Sequence, residues 1–224
     1  MVSGGSAITS IVLAGGRSSR LGWDKALQLI QGKSLIQWVI DCLASFSAEI
    51  IVATANGKPI PCSSPVRIET VADSHPGKGP LAGIYSGLMA SADPFAVVVG
   101  CDMPFVSGDL LQHMHRVAQG YDVVVPSIGN NVEPLCAVYS RECLDPIRGL
   151  LRQNRLQIRE LFGRVRVRYV GEDEFDRLDQ ERLSLFNVNS QFDLDRAREL
   201  VARKEWPCRD PGANPGSRLT VLHP

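Results

Sequence analysis

Short apolar runs and longer amphipathic stretches alternate along the chain. Ile8 to Leu13 (ITSIVL) predicts a strand that ends in a glycine loop. From Ser34 to Phe46, apolar residues fall at Leu35, Ile36, Val39, Ile40 and Leu43. That spacing predicts a helix with Ser34 at its N-cap. Strands are predicted at Ile50 to Thr54 and Val66 to Val71, and a helix over Leu81 to Ala92 after a Gly-Pro step. Phe95 to Gly100 (FAVVVG) is apolar throughout, as in a strand buried on both faces. A helix capped by Ser107 is expected over Ser107 to Val117. Strands follow at Asp122 to Pro126 and Leu135 to Tyr139, separated by the polar turn Gly129-Asn130-Asn131. Then come a helix over Glu142 to Arg152, a strand over Val165 to Val170 and a last helix over Gln191 to Lys204. This alternation predicts an α/β fold: a mostly parallel sheet with helices on both faces. The close strands around residues 122–139 add an antiparallel element.

Three segments are expected: a flexible N-terminus at 1–7, one domain at 8–204, and a flexible tail at 205–224 rich in Pro, Gly and polar residues. The 224 residues suffice for one domain with a sizeable core. Lys plus Arg is 24 and Asp plus Glu is 24, so formal net charge is zero and no basic surplus points to nucleic acid. Any bound anion must be held by local groups. No apolar run reaches the length of a membrane span, and Met1 to Thr9 lacks the pattern of a secretory signal. The cysteines at 42, 62, 101, 136, 143 and 208 form no CxxC pair and read as thiols in a reducing compartment. A cytoplasmic location is the expectation.

The first strand runs into Leu13-Ala14-Gly15-Gly16-Arg17-Ser18-Ser19-Arg20-Leu21-Gly22, followed by Asp24-Lys25. Glycines at a strand end let backbone N–H groups approach a phosphate, and Arg17, Arg20 and Lys25 supply charge matched to a polyphosphate. A glycine turn with solvated charges is the plainer alternative. No G-x-G-x-x-G follows this strand, so the dinucleotide fingerprint is absent. Gly32-Lys33-Ser34 resembles the end of a P-loop, but the first glycine that motif needs would fall at Leu27. It reads instead as a turn before a helix.

Three further constellations carry candidate chemistry. Asp102, in Gly100-Cys101-Asp102-Met103-Pro104, follows the buried strand and sits where open α/β sheets bind ligands. A carboxylate there suits Mg²⁺, which is bound by one or two carboxylates together with phosphates; capping of the loop is the alternative. Asp73 to Gly83 (DSHPGKGPLAG) is a glycine-proline loop entering a helix. Its backbone could face a flat base, and Asp73 could accept from the N1–H and amine of guanine, or else only order the loop. His75 reads as a loop residue. In Phe186-Asn187-Val188-Asn189-Ser190 the two amides alternate with apolar residues, which places both on one side of an extended segment. They could bind an acceptor phosphate or a metal; helix capping by Asn189 or Ser190 is the alternative.

The order LAGGRSSRLGWDKAL, GPLAG, CDMPF, EPLCAVY, FNVNSQFDL resembles the molybdenum cofactor guanylyltransferases, within a broader group of nucleotidyltransferases of Rossmann-like α/β fold. The likeness runs from about Ile8 to Lys204. It implies transfer of GMP from GTP to the terminal phosphate of molybdenum-molybdopterin, with pyrophosphate released and Mg²⁺ as the cofactor. It implies GTP contacts at Leu13, Ala14, Gly15, Gly16 and Lys25, a guanine-side role for Asp73, a metal role for Asp102, and acceptor-side roles for Asn187 and Asn189. It also implies contact with enzymes that receive the finished cofactor. The family often has a nucleotide-binding asparagine on the strand after its first helix; here the counterpart is Thr54 or Asn56, or is missing. Trp23 is a further departure.

The implied chemistry needs no side-chain nucleophile, because the acceptor phosphate is already anionic. Positioning and charge neutralisation carry it, with Arg17, Lys25 and Asp102 as the catalytic candidates. A cytidylyltransferase on the same cofactor, a transferase on another small phosphorylated acceptor, and a non-catalytic nucleotide-binding regulator are the rival readings.

Overall fold

The computed structural model describes residues 8–15 and 25–203. Gly16, Arg17, Arg20, Trp23, Cys208 and both terminal segments lie outside the described residues. The first strand, β1 (Ile8–Leu13), begins the sheet. A two-residue hairpin, β2 (Leu29–Ile30) and β3 (Lys33–Ser34), precedes helix α1 (Leu35–Ala44). Gln31 and Gly32 both have positive φ, which closes the tight turn, so the Gly-Lys-Ser run belongs to this hairpin. Ser34 caps α1 by accepting from the Gln37 N–H. Strand β4 (Ser47–Thr54) starts three residues earlier than its apolar core suggests, because Ser47 pairs with Ile8 and its hydroxyl bonds that of Ser10 at 2.6 Å. Then follow β5 (Arg67–Ala72), α2 (Pro80–Ala90), β6 (Phe95–Gly100) and α3 (Gly108–Arg116).

Strands β7 (Val123–Ile128), β8 (Asn131–Val132) and β9 (Cys136–Ser140) form the antiparallel element. Helix α4 (Leu144–Arg152), the short α5 (Arg159–Phe162), β10 (Val167–Val170), the short α6 (Glu172–Asp176) and α7 (Gln191–Ala202) complete the chain. The main sheet runs β10-β7-β9-β6-β1-β4-β5, with β8 paired to β7. The pairs of β1 with β4 and β6, β4 with β5, and β10 with β7 are parallel; β9 is antiparallel to both neighbours.

Alternation along β1 sorts the core into two layers. Val12 packs with α1 and α3 (Ile36, Ile40, Leu110, Met114), while Ile11 and Leu13 pack with α2 and α4 (Leu81, Ile84, Ile147, Leu150). A Cβ at Gly87 would lie 2.6 Å from Ile11, so the missing side chain lets α2 press onto β1 and brings its N-terminus toward the strand ends. A smaller cluster of Ile30, Leu35, Phe105, Val188, Leu194 and Ala197 seats α7 and the hairpin against α1. None of the five described cysteines forms a disulfide. Among the described residues no helix is long and apolar enough to cross a membrane.

Candidate active site

The chain leaves β1 for β4 on one side and later returns to β6 on the other. Loops from the carboxyl ends of β1 and β6 therefore diverge, and such a reversal of strand order opens a crevice in an α/β sheet. Hydrogen bonds tie its rim together: Ala14 N–H donates to Ala53 O (2.9 Å), Cys101 N–H to Leu13 O (3.1 Å) and Asp73 N–H to Thr54 O (2.8 Å). Leu13, Ala14, Gly15, Lys25, Thr54, Asp73, Gly79, Pro80, Asp102 and Leu135 line the resulting cleft.

The wall built by β4, β5 and the start of α2 is mostly backbone. Thr54 is buried, and its hydroxyl has no hydrogen-bond partner among the described residues. Asn56 is exposed and accepts from the Lys58 N–H at 3.0 Å in a turn, apart from the residues that line the cleft. Of the two counterparts open in the sequence, the geometry thus puts Thr54 at the cleft. Asp73 accepts from the His75 N–H at 2.9 Å through Oδ1, so it orders its own loop; its other oxygen takes no bond from the described residues. His75 stacks edge-on against Tyr85 and stays a loop residue. Lys78, the cation of this loop, donates to the Leu151 carbonyl at 2.6 Å and so anchors the loop to α4. Gly79 caps α2 without a side-chain bond, and Pro80 occupies the first turn, which leaves a helix N-terminus at the cleft.

The opposite wall is built from side chains. Lys25 stands at the head of a 3₁₀ turn (Lys25–Leu27) anchored by buried Ala26. Its Nζ lies 3.3 Å from Asp102 Oδ2 and donates to Asn189 Oδ1 at 2.7 Å. No backbone N–H among the described residues caps the Asp102 carboxylate; its partner there is Lys25. A Cβ at Gly100 would sit 2.7 Å from Asp102 Oδ1, so only glycine leaves that carboxylate its present position. The segment carrying the asparagines docks on the same loop, since Val188 N–H donates to Asp102 O at 2.8 Å and the Val188 side chain is buried. Capping of α7 falls to Ser190, which forms a capping box with Asp193. Asn189 is thereby left to Lys25.

Sequence reasoning passed over Glu133. It precedes β9, accepts from the Leu135 N–H at 3.1 Å and from Asn187 Nδ2 at 3.4 Å. Burial holds its carboxyl above the usual range, aided by the charge of Asp102 and opposed by these two hydrogen bonds and by Arg159. A lone glutamate before an apolar strand carries no chemical signal by itself; only folding brings it to Asn187.

A carboxylate at a parallel strand end, a lysine across the cleft and a backbone-lined recess beside a helix N-terminus fit an α/β nucleotidyltransferase. A family model described as the MobA-like NTP transferase domain matches residues 10–168, and the chain belongs to this family. It is 37% identical over 196 residues to the probable molybdenum cofactor guanylyltransferase of Pelotomaculum thermopropionicum, covering 86% of this chain and 93% of that protein. It is 32% identical over 197 residues to the molybdenum cofactor guanylyltransferase of Desulfosudis oleivorans, covering 87% and 96%. The crystal structure of molybdopterin-guanine dinucleotide biosynthesis protein A from Archaeoglobus fulgidus superposes with a TM-score of 0.75 at 28% identity, covering 88% of this chain and all of that one.

Proposed function

We propose that this protein transfers GMP from GTP to the terminal phosphate of molybdenum-molybdopterin and releases pyrophosphate, with Mg²⁺ as its metal. The observation that carries the reading is Lys25, which bonds both Asp102 at the end of β6 and Asn189 on the opposite segment. One cation thus joins the nucleotide recess to the wall where an acceptor would sit. The same chemistry appears in the names of the relatives from Pelotomaculum thermopropionicum and Desulfosudis oleivorans.

An oxygen of the acceptor phosphate attacks the α-phosphorus; the new P–O bond forms as the bond to the β-phosphate breaks, and pyrophosphate carries the charge away. Attack in line needs both phosphates held against their mutual repulsion. Lys25 offsets that charge from the side of the cleft. Thr54 and the N–H groups at the start of α2 offer donors to the nucleotide, and Asp73 offers a carboxylate oxygen to a base edge with two donors. The donor set also fits Mg²⁺. Among the described residues no group of three or more His, Cys, Asp or Glu forms a cage, and a lone carboxylate suits an ion whose other ligands are phosphates and waters. Asp102 would hold it, and when bound the ion neutralises charge on the triphosphate.

The test is pyrophosphate release from GTP, CTP or ATP in the presence of molybdenum-molybdopterin. Release with GTP, lost on chelation and restored by Mg²⁺, is expected. A preference for CTP would make the protein a cytidylyltransferase, and no release with any nucleotide would sink the catalytic reading.

A further inference from the structure

Glu133 is a half-buried carboxylate with no ion pair among the described residues. That sets it apart from the other carboxylates with shifted affinity for protons. Asp122, Glu172, Glu174 and Asp176 each sit on an arginine, and Asp193 completes a helix cap. The charge of Arg159 acts on Glu133 from beyond ion-pair distance, and removing a carboxylate from water with no countercharge in contact costs stability, so packing does not account for Glu133. Its two oxygens serve two donors: the Leu135 N–H, one residue from the Cys136 start of β9, and the Asn187 amide nitrogen. The Leu135 carbonyl in turn accepts from Gly100 N–H at 2.9 Å, which fixes this turn to the end of β6 beside Asp102.

The partners of the two asparagines dictate how each amide is turned. Asn187 Nδ2 faces two acceptors, Glu133 Oε2 at 3.4 Å and the Leu185 carbonyl at 3.2 Å. Both of its N–H donors are therefore committed, and among the described residues its carbonyl oxygen is the group left over. Asn189 faces Lys25, which has donors only, so its oxygen is committed and, among the described residues, its NH₂ is left over. The two amides present opposite polarity.

We propose that Glu133 is a positioning residue for the acceptor: it holds Asn187 by the nitrogen, so that Asn187 offers an oxygen to a donor group on the acceptor while Asn189 offers N–H groups to its phosphate. An anionic phosphate with a donor-bearing body would then bind in one orientation. The inference deepens the proposed reaction and takes its substrates from it.

The experiment compares Glu133→Ala, Glu133→Gln, Asn187→Ala and the Glu133→Ala/Asn187→Ala double variant, with GTP and molybdenum-molybdopterin as substrates. For Glu133→Ala the acceptor KM should rise about tenfold, the effect of losing one charged hydrogen bond, with the GTP KM within about twofold of wild type. Glu133→Gln keeps an acceptor oxygen and should recover most of that affinity. The double variant should be no worse than Asn187→Ala, because both changes remove one interaction. The amide side chain of Asn187, followed by NMR in ¹⁵N-labelled protein, should shift in Glu133→Ala and hold in Glu133→Gln. That signal needs no substrate, so it decides the positioning claim even if wild type releases no pyrophosphate, an outcome that would sink only the proposed reaction. An unmoved Asn187 signal in Glu133→Ala would overturn the inference. So would losses that multiply in the double variant, an equal rise in the GTP KM, or a Glu133→Gln as impaired as Glu133→Ala.

Discussion

Two clusters of polar side chains in this molecule differ in how they are satisfied. Around α6 and β10, charge meets charge. Arg166 holds Asp122, Arg168 and His113 hold Glu174, and Arg182 holds Asp176 and Glu172. Among the described residues, one nitrogen of Arg168 and the hydroxyl of Ser140, whose backbone N–H donates to Asp122 O, are buried there without a partner. At the carboxyl ends of β1, β4 and β6 the accounting is incomplete. Among the described residues, Thr54 has an unmatched hydroxyl, Asp73 an unused oxygen, Asn187 and Asn189 each half an amide, and Lys25 is the group that stands against Asp102. A cluster that closes on itself stabilises a fold; one with groups left over is built to be completed by a ligand. Substitutions should separate the two regions, with activity lost at the first-strand end and stability lost at the other.

The largest separation is expected at Asp102. Asp102→Asn keeps the shape but removes the negative charge, and turnover should fall on the order of a hundredfold or more, as when a main electrostatic stabiliser is lost. The melting temperature should barely move, because no backbone group among the described residues depends on that carboxylate. Steady-state rates at saturating Mg²⁺ measure the first and calorimetry the second; turnover near wild type would remove Asp102 from the metal role. Lys25→Ala comes next. Two contacts go at once, to Asp102 and Asn189, so the KM values for nucleotide and acceptor should both rise, by roughly ten- to a hundredfold in kcat/KM. A rise confined to one substrate would show that Lys25 serves one wall and not both.

A smaller effect is expected at Asp73, and it concerns choice more than rate. Guanine presents N1–H and an amine on one edge, a donor pair that cytosine and adenine lack. Asp73→Ala should cost GTP roughly 1.5–3 kcal/mol in kcat/KM relative to CTP and ATP. The bond from His75 to Oδ1 complicates the variant, because the loop also loses an anchor. Lys78 on the Leu151 carbonyl and Ser74 N–H on the Ser86 hydroxyl still hold it. A drop that is equal for all three nucleotides would leave Asp73 a loop residue only.

The sheet was legible because its strands are long and apolar, and its helices because Ser34, Ser107 and Ser190 announce their starts. The elements that escaped are short. Helices α5 and α6 bury one residue each, Leu161 and Phe175, too few for any periodicity. The two-residue strands of the hairpin have no pattern at all. In the site, residues on strand ends were readable from the chain: Leu13, Ala14, Gly15 and Asp102 follow apolar runs, and the fold brings them to one cleft. Lys25, 77 positions from Asp102, was readable only as a charge in a glycine loop. Its bond to Asn189, 164 positions away, was not readable, nor was the grip of Glu133 on Asn187, because local sequence holds no trace of a contact that the sheet order creates.

The weakest expected effect lies in the closed cluster and reads out in stability. Asp122 accepts from Arg166 three times, from the backbone N–H at 2.9 Å, Nε at 3.2 Å and Nη2 at 2.9 Å. The Arg166 side-chain hydrogen bonds hold its carboxyl below the usual carboxylate value, against an opposing effect of burial. In the unfolded chain Asp122 takes up its proton near pH 4 as the pH falls, before the folded protein does. The pair's contribution is therefore complete above that value and drains away as pH falls through the lower folded one. Arg166 is largely exposed, so solvent screens the pair and its worth is modest. Asp122→Asn should lower the melting temperature by about 2 °C at pH 7, with turnover at assay temperature unchanged. The gap between variant and wild type should begin to shrink below about pH 4 and close as the wild-type carboxyl becomes neutral in the folded protein as well. A gap that stays constant with pH would mean that hydrogen-bond geometry and not charge holds this corner, and a loss of turnover would erase the distinction between the two clusters.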